Sequence, residues 1–248
     1  MHTFDFPLSP KARNYLKLET NFRRIEESSG MRSPVETLCL MHCILDYLEM
    51  IEGVSSLKMD LLKDLERCDR KLSEWSGDPE ADTEFVAQLR EALLNARKTL
   101  NGFSRERTVL ADDPLICSIR TRFHTPCGIN CFDTPLFDYW MHQSEDERRR
   151  ALATWLPELD FMRVPIYTIL DLWRLCADSQ RRTARGGFMQ ENADDCDMIN
   201  IRYADEVQGY PVVSGFQSRV NIRFLPYAPG TRIGDIDFDI TYIKGLAL

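Results

Sequence analysis

The sequence predicts an α+β fold, with a mainly helical N-terminal region followed by a C-terminal antiparallel β-rich domain. Two observations predict it. Up to about residue 180, apolar residues recur every three or four positions, the period of an amphipathic helix. After the ARGGF stretch at 184–188, apolar and polar residues alternate with period two, as in strands with one buried face. The expected division is 1–180, predominantly helical, and 181–248, antiparallel and β-rich, with segment 124–133 a candidate to join the β-domain. A chain of 248 residues can bury a substantial core for such a fold.

TFDF, at 3–6, reads as a short strand. Ser9-Pro10 then signals a helix start, a capping hydroxyl before a proline whose missing N–H costs nothing at the first helical position. Tyr15, Leu18, Phe22 and Ile25 form its apolar stripe. Ser33-Pro34 opens a second helix, with Glu36 completing a capping box and Gly53 as its stop. Its apolar set is Leu38, Met41, Ile44, Leu45, Leu48 and Ile51.

A third helix is expected from Leu57 to Trp75, ended by Gly77. Leu61, Leu65, Cys68, Leu72 and Trp75 give it a heptad-like seam. The fourth, over about 82–100, carries Phe85, Leu89, Leu93, Ala96 and Leu100 and stops at Asn101-Gly102. The short SGDPEAD connection, 76–82, makes these two an antiparallel helical hairpin.

Asp113-Pro114 opens a helix over LICSIRTRF, and HTPCGINC reads as a turn with a candidate strand. Thr134-Pro135 starts a short helix, and Ser144 with Glu147 starts another that runs through Trp155. A separate helix over 162–178 would hold Pro165 in its first turn, where proline is tolerated. MINIRY, YPVVS, SRVNIRF and DIDFDITYI are the expected strands of an antiparallel sheet.

The net charge of −8 counts against a general nucleic-acid binder, which carries a basic field, although a local basic patch is compatible with it. No apolar run approaches the length of a membrane span, and MHTFDFPLSPKARNYL lacks the basic-then-apolar order of a signal peptide. A cytosolic location is expected, with the eight cysteines reduced and most of them filling core space.

Catalytic motifs are missing: there is no G-x-S-x-G, no phosphate-binding glycine loop and no H-E-x-x-H, and Gly186-Gly187 is too short for a dinucleotide fingerprint. The motifs thus give no positive argument for an enzyme or for a cofactor. His124, Cys127 and Cys131, with Asp133 and His142 nearby, are chemically able to ligate zinc and define the alternative of a metal-dependent enzyme. Their spacing matches no standard zinc knuckle, and the competing reading is cysteines buried beside a Pro-Gly turn.

Two basic features remain. Arg13, Lys17 and Arg24 lie within about 40° of one another around a helix, as a basic stripe or simply a solvated face. In SGFQSRVNIRF, 214–224, Arg219, Asn221 and Arg223 share one side of an extended chain, and Val220, Ile222 and Phe224 share the other. If this strand and DIDFDITY form a hairpin, the arginines face Asp235, Asp237 and Asp239. If not, they are available to an incoming anion, a carboxylate or a local nucleic-acid phosphate.

FPLSPKARNYLKLE (6–19), LLKDLERCDRKLSEW (61–75), RTRFHTPCGINCFDTPLFDYW (120–140), GGFMQENADD (186–195) and SGFQSRVNIRF (214–224) together resemble the ZapD family of bacterial cell-division proteins. The blocks are collinear and run nearly end to end. The resemblance implies a cytoplasmic, non-enzymatic homodimer with a helical and a β-rich part. It also implies a partner, the C-terminal tail of FtsZ, the tubulin-like division GTPase whose filaments the family crosslinks into bundles at midcell. Neither nucleic acid nor membrane is implied. Carried over residue by residue, Arg219 and Arg223 match the family's paired strand arginines, Lys17 and Arg13 match basic positions of its first helix, and Arg120 and Arg122 match its mid-chain R-x-R. Pro114 and Asp138 stand where a relative has Arg and His, which implies a less positive or relocated pocket.

Overall fold

The computed structural model describes residues 1–76, 82–103, 109–216 and 219–245. The chain forms two compact units. One comprises Met1–Leu16, Glu66–Ala81 and Ile169–Leu248, the other Lys17–Leu65 and Asp82–Thr168.

The first unit contains the strands. β1 (His2–Pro7), β4 (Met198–Tyr203), β7 (Ile236–Ile243) and β2 (Ser179–Ala184) form an antiparallel sheet in the order β1-β4-β7-β2. β3 (Phe188–Asn192), β6 (Arg219–Pro226) and β5 (Gly209–Phe216) form a second, in the order β3-β6-β5. The alternating segments thus divide between two sheets instead of joining one. The reason is the burial of their apolar faces. Val220, Ile222 and Phe224 of β6 and Ile236, Phe238 and Ile240 of β7 belong to one buried cluster. The Phe224 and Phe238 rings lie 5.5 Å apart, and Tyr203 meets Phe224 edge-on at 5.3 Å. A β6–β7 hairpin would lay both apolar rows side by side on one uncovered face; stacking the sheets covers each with the other.

β2 is not legible as a strand in the sequence because SQRRTA is polar and mostly exposed. It is joined to β3 through Gly186 and Gly187, at φ 54° and 77°, a left-handed conformation that favours glycine. A Cβ at Gly187 would also lie 2.5 Å from Ile233 Cγ2.

The helices are α1 (Pro10–Ser28), α2 (Pro34–Gly53), α3 (Leu57–Trp75), α4 (Thr83–Gly102), α5 (Val109–Asp112), α6 (Pro114–Arg120), α7 (Pro135–Met141) and α8 (Glu145–Leu175). Local sequence sets most of their starts. Ser9 Oγ accepts the Ala12 N–H at 3.1 Å, and Ser33 Oγ accepts the Glu36 N–H at 3.2 Å. The reciprocal half of the expected box is displaced by one residue, since the Glu36 carboxylate accepts from Arg32 N–H. Asp113 caps α6 through Oδ1 and accepts the Trp155 indole N–H on Oδ2 at 2.9 Å.

The expected stripes of α1 and α2 are buried, apart from half-buried Leu38, and Leu61, Leu65, Cys68 and Leu72 of α3 are buried beside half-exposed Trp75. In α4 the expected Leu93, Ala96 and Leu100 are buried and Leu89 is half-buried; only the first position differs, where Phe85 is exposed and Val86 is buried in its place. Residues 77–81, which carry Gly77 and most of the hairpin connection, lie outside the described residues.

Two expectations fail for identifiable reasons. The helices assigned to 144–155 and 162–178 are one continuous helix, α8, with Pro157 and Pro165 inside it. An interior proline costs about 3 kcal/mol. Leu152, Trp155, Leu159, Met162, Ile166, Ile169 and Trp173 hold a three-four stripe straight through both prolines, and all are buried. At about 1.5–3 kcal/mol per buried large side chain, that stripe outweighs two lost donors.

The second is the candidate strand at 124–133. α6 ends at Arg120, and the chain turns without a strand in the second unit. Asn130 organises it: its Nδ2 donates to the Cys127 carbonyl and the Asp133 carboxylate, and its Oδ1 accepts the N–H groups of Phe132 and Asp133. A Cβ at Gly128 would lie 2.3 Å from the Arg122 carbonyl oxygen, so the backbone is folded tightly here. The turn points its thiols outward. Cys127 and Cys131 are exposed, as are Cys39 and Cys117, while only Cys43, Cys68 and Cys196 fill core space and Cys176 is half-buried.

Candidate functional site

Because β6 is the central strand of its sheet, its outward side chains sit between two neighbours. Cross-strand partners share a face. Arg219 is paired in register with Asn192 of β3 and Phe216 of β5. Asn221 lies between Gln190 and Ser214, and Arg223 between Phe188 and Val212. Both arginines are exposed. The Arg223 guanidinium lies over the Phe188 ring, 5.6 Å from its centroid.

None of the three aspartates that a hairpin would set opposite them is on this sheet face. Asp235 accepts the Gly186 N–H at 2.7 Å, Asp237 accepts the Thr183 hydroxyl at 2.6 Å, and Asp239 pairs with Arg181 at 3.1 Å. Among the described residues, neither Arg219 nor Arg223 makes an ion pair. The hairpin that would have neutralised them does not form, because β6 and β7 belong to different sheets.

A polar clasp holds β3, and so this face, against the other sheet. Arg182 of β2 donates to Glu191 of β3 at 3.0 Å, and Tyr242 of β7 donates its hydroxyl to the same carboxylate. Burial alone would push the Glu191 carboxyl up, but hydrogen bonds from Arg182 and Tyr242, with the Arg182 charge, hold it below its ordinary value. Burial and the Glu191 carboxylate push the Tyr242 phenol upward.

A group with a depressed folded pKa contributes stability above its unfolded pKa and loses it as pH falls through the folded value. Glu191→Gln is expected to lower stability by roughly 1–3 kcal/mol near neutrality. The deficit should hold down to about pH 5 and shrink below about pH 4.3, the ordinary glutamate value. Urea melts of both proteins across pH 3–7 measure it; a deficit that grows on acidification would contradict the clasp.

The other candidate residues lie elsewhere. Arg13 and Lys17 are exposed one turn apart on α1, and Arg24 is exposed further along it. Arg120 is half-buried and paired with Glu52 of α2, which takes up part of its charge, whereas Arg122 is exposed in the turn after α6. Arg13, Arg219 and Arg223 belong to the first unit; Lys17, Arg120 and Arg122 belong to the second. Pro114 occupies the first turn of α6, and Asp138, in α7, faces His142 at 3.9 Å.

The metal alternative finds its ligands otherwise engaged. His124 Nε2 is 2.9 Å from Glu49, His142 Nδ1 is 2.7 Å from the Asp138 carbonyl, and Asp133 accepts from Asn130. Among the described residues no three His, Cys, Asp or Glu side chains are grouped to hold a metal ion. No described helix is long and apolar enough to cross a membrane.

Comparison with known proteins identifies the family. The family model described as ZapD, cell division protein, matches residues 16–223. The chain belongs to the ZapD family of cell-division proteins. It is 32% identical over 223 residues to cell division protein ZapD of Pectobacterium atrosepticum, covering 90% of this chain and 89% of that protein. It is 34% identical over 229 residues to cell division protein ZapD of Klebsiella pneumoniae strain 342, covering 91% and 92%. The ZapD match includes Lys17, Arg120, Arg122, Arg219 and Arg223, while Arg13 precedes it.

Sequence reasoning missed the neighbours of the arginines, Phe188, Gln190, Val212 and Tyr210. The alternation of FMQEN after a Gly-Gly turn was the available signal for β3. Only the register of β3 and β5 against β6 shows that these side chains share the ZapD chain's arginine face.

Proposed function

We propose that this chain is a cytoplasmic cell-division factor that binds the C-terminal tail of FtsZ and, as a homodimer, crosslinks FtsZ filaments at the midcell division ring. The observation that carries the reading is the open β3-β6-β5 face, on which Arg219 and Arg223 stand without an acidic partner among the described residues of a chain with net charge −8. Planar guanidinium groups suit carboxylates because they offer paired donors at the spacing of the two oxygens. Exposed apolar side chains beside them suit a tail that also carries hydrophobic residues. Arg13, Lys17, Arg120 and Arg122 are the further basic positions assigned to tail binding; Arg120 would have to share its charge with Glu52.

Weak single contacts are sufficient in this reading. Two sites per dimer and many tails per filament multiply them, and a single site on a monomer would decorate filaments without joining them. The test is sedimentation of polymerised FtsZ with and without this protein. Pelleting should rise, should return to baseline for FtsZ lacking its C-terminal tail, and should weaken with added salt. No rise, or a rise indifferent to tail truncation, would overturn the proposal.

A further inference from the structure

The outward face of β6 and its neighbours is ordered along the strand. At the first level Arg219 has Asn192 of β3 on one side and the backbone position of Phe216 of β5 on the other. Two residues on, Gln190, Asn221 and Ser214 make a level of amides and a hydroxyl. The next holds Arg223 between Phe188 and Val212, which are 43% and 44% exposed. The last is apolar, with half-buried Leu225 opposite Tyr210, itself 43% exposed. Levels two residues apart on a strand are separated by about 7 Å, and the two arginines by about 13 Å.

From this order we propose that the face reads an extended peptide lying along β6, with carboxylates at positions i and i+4 and an apolar side chain at i+6. Alternate side chains of an extended peptide point the same way, with the same two-residue repeat as the levels beneath them. Position i meets Arg219 and i+2 meets the amide level. Position i+4 meets Arg223, and i+6 reaches the Leu225–Tyr210 level. Phe188 is a positioning residue in this arrangement. The Arg223 guanidinium lies over its ring, 5.6 Å from the centroid, a cation–π contact that restrains the side chain meant to meet the carboxylate. Val212 continues the apolar surface on the other side of Arg223. Charge complementarity selects this occupant: among its described side chains the face carries two cations and no carboxylate, and the apolar ones, Phe188, Val212, Leu225 and Tyr210, lie at and beyond the Arg223 level.

The inference rests on the tail-binding reading in taking this face as the docking surface, and it adds a spacing and a direction. The test is fluorescence anisotropy of the full-length protein with three labelled synthetic peptides. The first has Asp at positions 1 and 5 and Leu at 7 in a Ser/Thr background. The second has the same composition with Asp at 1 and 3, and the third replaces Leu with Ser. The first should bind about tenfold more tightly than either other. Phe188→Ala should narrow the gap between the first and second peptides, because an unsupported Arg223 no longer selects the spacing. Tyr210→Ser should erase the preference for Leu over Ser. Equal affinity for the first and second peptides would overturn the inference. An FtsZ tail peptide measured alongside separates the two claims. If the tail binds while the spaced peptides are not distinguished, tail binding stands and the register fails. If the spaced peptide wins while the tail does not bind, the register stands and the proposed partner fails.

Discussion

Arg219→Glu combined with Arg223→Glu is expected to weaken capture of an FtsZ tail peptide by at least about a hundredfold without unfolding the protein. Each arginine would supply a charge-assisted hydrogen bond to a carboxylate, an interaction worth about 1.5–3 kcal/mol when one partner is removed. Reversal of charge adds repulsion, so two sites together exceed the roughly 2.7 kcal/mol that a hundredfold represents. The fold should tolerate the change. Both side chains are exposed, neither makes an ion pair among the described residues, and the buried side of β6 is untouched. The double substitution does remove the cation–π contact of Arg223 with Phe188, worth about 0.5–1 kcal/mol at an exposed site. The lysine pair, Arg219→Lys with Arg223→Lys, keeps the charge but not the fork and should fall in between. Isothermal titration with a tail peptide, beside a thermal melt, measures both properties. Undiminished affinity in a folded Glu variant would remove this face from the binding surface.

Phe238→Ala carries the largest expected loss of stability. Phe238 has no solvent exposure, lies on β7, and meets Phe224 of the opposite sheet at 5.5 Å. Truncating a buried phenylalanine costs about 3–5 kcal/mol, from the lost transfer energy and the cavity left behind. That is a large share of the roughly 5–15 kcal/mol that holds a typical domain together. In urea the midpoint should fall with little change in slope. Tyr227→Ala, at a residue 84% exposed, should stay within about 0.5 kcal/mol of the parent. A loss below about 1 kcal/mol for Phe238→Ala would mean that the two sheets do not share a core.

The two variants test opposite faces of adjoining layers, and they mark where the sequence is informative. Helix starts are legible at Ser9, Ser33 and Asp113 because a cap is satisfied within three residues. Thr134 precedes a helix as expected but does not cap it with its side chain; its hydroxyl donates instead to the Asn130 carbonyl. Pro165 misleads, since its penalty is local while the buried stripe that offsets it extends on both sides. Cys127 and Cys131 mislead in a different way: residue type favours the interior, but the turn sends both thiols outward.

For the candidate surface, sequence places Arg219 and Arg223 on one side of a strand and opposite a buried apolar row, and both placements hold. It leaves open whether the aspartates of the last strand neutralise them. The collinear blocks also point to the ZapD family, to which the chain belongs. By itself, then, the sequence determined the family, the α+β class, the helix caps and the inward face of each alternating strand. The class, caps and inward faces depend on neighbours a few residues apart, and the family on blocks collinear along the chain, so all are written in its linear order. Only the tertiary structure decided that β6 and β7 stack instead of pairing, that Glu52 holds Arg120, and that Phe188 lies beneath Arg223. Alternation specifies that a face must be covered but not by what, and the covering surface comes from distant residues whose register is settled by packing.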